Sequence, residues 1–390
     1  MTSRTRLLVL GISTPVIAFA VIGGFLGQAM TRDDTYQHLR VFEDVVSLVL
    51  NNYVEEVDVS DAMRGAMNGL TDGLDADSGY LAPELVQAYE QNAPLPAGDT
   101  GIVLTRQYYL RIVSVREGSP AARAGLRLGD YVRAIDNRAT KDMSVFEGTR
   151  LLRGTPGSTV SLLVIRGNAA DPHVVELTRE RASGPDVTSR MAGGSVGYLK
   201  VHALTNEAPA ALRDSLTRLA RTGATRYVVD LRGAASGELD NGIAAARLFV
   251  GSGTLAIREP KTGERQVIEA AAGDGAITAP VVLVVDSGTS GAAEIMAAAL
   301  DGADRAELVG SRTLGRAARQ RLVKLPDGSG LLLSYERFLT PGSDEPLHER
   351  GLAPDVEVDV PEVEFGTVPP PGDPTLDRAI EVVTAQAAAA

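Results

Sequence analysis

Apolar and polar positions alternate in several distinct ways along the chain, and each predicts a different kind of element. From Leu7 to Ala29 the residues are mostly apolar and carry no charge, the length needed to cross a bilayer as a helix. Arg4 and Arg6 precede this run, which predicts a cytoplasmic N-terminus and a body on the extracytoplasmic side. A cleaved signal peptide is the competing reading, because Leu26-Gly27-Gln28-Ala29 offers small residues near the end. The length of the run favours an uncleaved single-pass anchor over residues 1–30, seated in the cytoplasmic membrane. Over residues 33–92 the apolar positions Leu39, Phe42, Val45, Val46, Val49, Ala62, Met63, Ala66, Met67 and Leu70 recur at helical spacing, which predicts a small helical region.

Ala93 to Asp99, with two prolines, reads as a linker, and Leu110 to Val115 as a strand. Val145, Thr149 and Leu152 share one face of a helix. Further on, Val196 to Val201, Tyr227 to Leu231 and Val281 to Val285 are short apolar runs. Ala-rich helical stretches, Ala208 to Ala220 and Asn241 to Phe249, separate them. Strand, helix, strand spacing of this kind predicts an α/β core whose active face lies at the strand ends. Pro369-Pro370-Pro371 is a stiff spacer before a short terminal helix, Leu376 to Gln386, so that residues 363–390 form a linker and tail.

Composition narrows the chemistry. The 390 residues exceed the usual size of one domain, and a formal charge of -12 argues against a nucleic-acid partner. There are no cysteines, which excludes disulfides and thiolate chemistry. The four histidines, His38, His173, His202 and His348, are scattered without the spacing that places two ligands on one helix face, so neither a metal nor another cofactor is expected.

The segment Asp286-Ser287-Gly288-Thr289-Ser290-Gly291 joins a predicted strand to the predicted helix Ala292 to Leu300. A sharp turn there lifts one side chain above the sheet and aims free helix N–H groups at the same point, which suits an oxyanion. With Glu294 and the later Thr313-Leu314-Gly315-Arg316-Ala317-Ala318-Arg319-Gln320, the chain resembles the carboxyl-terminal processing peptidase family, tail-specific serine proteases with a Ser–Lys pair and an inserted PDZ domain. That family's turn reads roughly Gly-Ser-Ala-Ser-Ala-Ser-Glu-Ile, and its base sits in Thr-Phe-Gly-Lys-Gly. Anchoring on Glu294 places Gly291 at the nucleophile position and Arg316 at the base position, with Gln320 alone kept from the catalytic set. An arginine stays protonated and cannot act as a general base. The family's oxyanion loop, Asp-Leu-Arg-Asn-Asn-Pro-Gly-Gly, appears as Asp230-Leu231-Arg232-Gly233-Ala234-Ala235-Ser236-Gly237.

Gly101-Ile102-Val103-Leu104, Gly118-Ser119-Pro120-Ala121-Ala122 and Leu151 to Ser158 resemble a bacterial PDZ domain over residues 95–182. Backbone N–H groups of such a loop hold a peptide's terminal carboxylate while the peptide adds as a strand. Gly101 permits the close approach, and Ile102 and Leu104 would line the pocket for the terminal side chain. The resemblance implies an α/β (ClpP/crotonase-like) peptidase core over residues 185–362, no cofactor, and C-terminal peptide tails of exported proteins as partners. It also implies assembly through the N-terminal segment, as a homodimer or a heteromer with an active paralogue; a helical cap on the core is the alternative.

Two functional readings stand beside each other. In the first the fold is kept and catalysis lost, which leaves a tail-binding scaffold or regulator. In the second a working peptidase uses a shifted nucleophile, Ser290 foremost, with Ser287 and Ser236 as other candidates, and needs one of Lys141, Lys200, Lys261 or Lys324 as base. For Arg316 two roles are open: an anion pocket beside the helix start, or an ion pair with Glu294 or Asp286 that locks the turn shut.

Overall fold

The computed structural model describes residues 36–167, 171–361, 363–367 and 371–389, and the chain divides into two units, 1–66 and 67–390. The first unit is helical: α1 covers residues 36–52, and α2 (Val59–Asp72) begins there and continues into the second unit. Leu39, Phe42, Val45 and Val49 of α1 are exposed.

The expected membrane anchor is not borne out. Among the described residues no helix is long and apolar enough to cross a membrane, and Leu7 to Ala29 lies outside them. The described helices carry charge within their turns, as α1 does at Arg40, Glu43 and Asp44. The single-pass location in the cytoplasmic membrane, and partnership with the membrane through that helix, are set aside with it.

The second unit opens with β1 (Gly79–Leu81) and α3 (Pro83–Glu90), and then builds a six-stranded antiparallel sheet. The elements of this region are, in order, β2 (Gly98–Asp99), β3 (Ile102–Gln107), β4 (Tyr109–Val115), α4 (Pro120–Arg123), β5 (Tyr131–Ile135), β6 (Arg138–Ala139), α5 (Val145–Leu152), β7 (Thr159–Ile165), β8 (His173–Thr178) and β9 (Glu180–Arg181). The strands of the sheet run β3-β4-β5-β7-β8, with β6 beside β5, so β3 is an outer strand. β2 pairs with β9 and closes the two ends of this domain on each other. Ser119 and Ser144 cap α4 and α5 by accepting from Ala122 N and Glu147 N, as serine at a helix start commonly does. Gly148 lets α5 sit directly on the sheet, because methyls of Leu110 and Leu104 occupy the space that a side chain there would need. The buried face of α5 is therefore Val145, Gly148 and Leu152, with Thr149 half-buried.

The remaining chain forms two layers. One sheet has the order β10 (Val187–Met191), β11 (Val196–Val201), β12 (Arg226–Asp230), β15 (Val281–Val285), β16 (Ala306–Gly310), β19 (Val356–Glu357) and is parallel from β11 onward. Both faces of β15 are covered, which is why all five of its residues are apolar. On one face lie α6 (Ala208–Arg221), α7 (Leu239–Ala246) and α8 (Ala292–Gly302), within the largest apolar cluster. On the other lies α9 (Pro374–Ala389), whose Leu376, Ala379, Val382 and Val383 pack on Val228, Val282 and Val284. The second sheet is antiparallel: β1, β18 (Gly330–Leu339), β13 (Thr254–Pro260) and β14 (Gln266–Glu269) in order, with β17 (Ala318–Lys324) also beside β18.

Candidate active site

The turn between β15 and α8 is organised by one carboxylate. Glu294, at the third position of α8 and fully buried, accepts from Gly291 N (3.0 Å) and Arg316 N (2.7 Å) on Oε2. Its Oε1 accepts from Thr313 Oγ1 (2.6 Å) and Gly315 N (2.5 Å). Burial pushes its pKa up, and the four hydrogen bonds pull against that. Position 291 and position 316 are thus fixed to each other through a single side chain, although 25 residues of sequence separate the two.

Gly291 is the N-cap of α8 with φ 63° and ψ -118°, a conformation open to glycine and strained for other residues. A Cβ added there would meet Leu239 Cδ2 at 3.6 Å and Arg316 O at 3.7 Å, which is ordinary contact, so the position has room for a side chain. Its neighbour Ser290 is 2 % exposed, and its Oγ has no hydrogen-bond partner.

Arg316 does not pair with Glu294 or Asp286. The lone pairs of Glu294 are taken up as above, and Asp286 Oδ1 accepts Gly233 N (3.0 Å) and Gly288 N (2.9 Å). The guanidinium instead reaches Asp77, with Nε 2.7 Å from Oδ1, and Nη1 donates to the Leu104 carbonyl of β3 at 3.2 Å. Gln320, which faces Ser334 directly across β17 and β18, has its Nε2 buried without a partner.

Each candidate base is engaged by another group or lines a separate cleft. Lys200 Nζ donates to Asp230 Oδ1 (3.0 Å) and to Arg232 O (2.6 Å), and Lys324 pairs with Glu90. Lys141 lies over the Tyr108 ring, and Lys261 lines a cleft with Glu259 and His348. The Gly291 N–H at the helix start is held by Glu294, which removes a donor from the anion-pocket role for Arg316.

The loop expected to serve an oxyanion follows β12. Gly233 N is bound to the buried carboxylate of Asp286, Ser236 is exposed with its carbonyl accepting from Leu204 N, and Gly237 pairs with Leu204. At the same strand ends, Asp230 is held by Lys200, by Tyr198 Oη (2.9 Å) and by the Arg232 fork, which also grips Asp373 before α9. Burial opposes charge on Asp230, but Arg232 and Lys200 outweigh it and bring the pKa down to about 2.

A cleft of about 420 Å³ joins this loop to the outer sheet: Gly101, Ile102 and Val103 line one side, and Lys200, His202, Arg232, Gly233 and Ser236 the other. Ser114 Oγ of β4 donates to Gly233 O at 2.5 Å and fixes the two sides together. Val103 faces this cleft, whereas the Leu104 side chain is buried beneath α5. Ile102 does both, 8 % exposed and part of the cleft wall.

Residues 195–358 match the profile of peptidase family S41, and residues 111–166 that of a PDZ domain. A carboxyl-terminal-processing protease of Picosynechococcus sp. is 32% identical over 70% of this chain and 67% of its own length. The chain belongs to peptidase family S41. The carboxy-terminal processing protease CtpA of Bacillus subtilis is 29% identical over 93% of the chain and 79% of its own length. Among solved structures, a photosystem II D1 C-terminal processing protease superposes with a TM-score of 0.67 at 25% identity, covering 80% of this chain and 85% of that one.

Two features beside the S41 core were not anticipated from sequence. Asp77 had no assigned role, and neither had the pair His348–Asp75, in which Nε2 lies 3.7 Å from Oδ2. Burial opposes the charged imidazole, but Asp75, Asp77 and Glu349 together raise the His348 pKa above its ordinary value. A raised folded pKa stabilises the fold below the unfolded value of about 6.5, and that contribution is lost as pH rises through the folded pKa. His348→Gln is therefore expected to flatten the decline in stability above about pH 6.5, read by urea unfolding from pH 5 to 9. An unchanged pH profile would remove His348 from the account.

Proposed function

We propose that this chain has kept the S41 scaffold and given up proteolysis, and that it binds the C-terminal tails of other proteins through its PDZ domain as a scaffold or regulator. The partner in such a role is a second copy or an active relative. One observation carries the reading: at the tip of the turn, where the family presents its nucleophile, Gly291 offers no side chain, and its N–H is bound by Glu294. The base position supports it, since a guanidinium does not serve as a general base, and that of Arg316 faces Asp77.

A second reading is favoured by the unpartnered Oγ of Ser290, one residue from the tip. Against it stand the burial of that hydroxyl and the engagement of Lys200 and Lys324 with carboxylates. A serine without a base in hydrogen-bond reach is not activated. Treatment with a fluorophosphonate probe, which labels activated serines, separates the two. The proposal expects no labelling of the wild-type protein; labelling mapped to Ser290 would establish the shifted nucleophile instead.

A further inference from the structure

We infer that Arg316 acts as a latch on the peptide-accepting edge of the PDZ domain: a tail adds to β3 only after the guanidinium has left the Leu104 carbonyl. The inference rests on the tail-binding reading above and specifies how that site is controlled.

The geometry of β3 supplies the argument. Leu104 is paired with Ile112 of β4, and Ile112 donates to Asp130 O while its carbonyl accepts from Gly129 N, on the side away from β3. In antiparallel pairing two facing residues either exchange both hydrogen bonds or turn both sets outward, so Leu104 also presents its backbone outward. β3 is an outer strand, and its free edge is where an added strand would bond. Arg316 Nη1 already occupies the outward carbonyl of Leu104 at 3.2 Å. Two positions on, the Arg106 guanidinium is committed to Asp72 and to Ser78 O.

What holds the latch is equally specific. Arg316 Nε is 2.7 Å from Asp77 Oδ1, and Asp77 is 8 % exposed within a turn fixed by Asp75, which accepts from the backbone N–H of Asp77 and Ser78. A guanidinium fork donates in two directions at once, to a carboxylate and to a carbonyl, whereas a lysine ammonium is a single point charge on a flexible stem. The substitution that removes a base from position 316 therefore supplies a two-pronged tie between the core and the PDZ edge. A cleft of about 310 Å³ beside the guanidinium, lined by Ala76, Gln107, Arg111, His348 and Glu349, gives it somewhere to go when released.

The test measures fluorescence anisotropy of ten-residue peptides with apolar last residues and free carboxylates against the full chain. The same peptides amidated define non-specific binding. If the latch closes roughly nine molecules in ten, Arg316→Gln and Asp77→Asn each tighten binding about tenfold, since affinity scales with the open fraction. Arg319→Gln, which breaks the pairs with Asp240 and Glu336 and touches neither Asp77 nor Leu104, leaves affinity at the wild-type value. Wild-type binding with equal affinity in Arg316→Gln and Asp77→Asn would overturn the latch. Absence of specific binding in the wild type and both variants would overturn the tail-binding reading itself.

Discussion

Glu294→Gln is expected to lower stability by about 3 kcal/mol, a large effect for the removal of one charge. The carboxylate satisfies four donors, three of them backbone N–H groups, in a site closed to water. Glutamine keeps one oxygen and turns an NH₂ toward the donors that the other oxygen served, so two buried donors lose their acceptor, at least one of them a backbone N–H, at roughly 1–3 kcal/mol each. Urea unfolding would show a lower midpoint at an unchanged slope. A midpoint within error of the wild type would mean that the turn is held by something other than this side chain, and the account of how positions 291 and 316 are joined would fail.

If the proposed loss of proteolysis holds, Gly291→Ser with Arg316→Lys is expected to produce peptidase activity absent from the wild type, at a level set by Asp77. The backbone admits the serine, since an added Cβ makes only ordinary contacts, at a strain cost of about 1–3 kcal/mol for a non-glycine residue at positive φ. Lysine at 316 regains a group whose pKa can be lowered, but Asp77, 7 % exposed at its side chain and placed against that position, would hold the ammonium charged. The triple variant adding Asp77→Asn should therefore exceed the double variant by roughly tenfold or more, within the 10²–10⁴ that a general base supplies. Gly291→Ser alone should remain silent. Equal activity of the double and triple variants would show that Asp77 does not control the base position.

How much of this was legible along the chain follows from the separation of the residues involved. The runs Val196–Val201 and Val281–Val285 read as strands because parallel strands covered on both faces need apolar residues throughout. The turn and the helix after it were legible for a local reason: Glu294 sits three residues past Gly291, within one helical turn. The antiparallel sheet of β13, β14, β17 and β18 gave no such signal. Its strands carry Arg258, Glu259, Arg319, Glu336 and Arg337, whose charges are met across the sheet, as in Arg337–Glu259 and Arg319–Glu336, and not by neighbours in sequence.

The role of Arg316 was half legible. Its inability to act as a base follows from its chemistry alone, but its partner Asp77 lies 239 residues away, and the local carboxylates that sequence offered, Glu294 and Asp286, are filled by backbone donors. Docking of α9 on the open face of the parallel sheet, through Val382 and Val383, was likewise invisible in a tail that ends in alanines. The membrane anchor is the one architectural expectation that fails: the long uncharged run predicts a spanning helix, and among the described residues no helix is long and apolar enough to be one.

The most direct test of lost proteolysis is the time course of casein cleavage by the purified wild-type protein, with the Gly291→Ser, Arg316→Lys, Asp77→Asn variant beside it. The account predicts intact casein with the wild type and fragments with the variant. Cleavage by the wild type that disappears on Ser290→Ala would contradict it and place the nucleophile one residue before the tip.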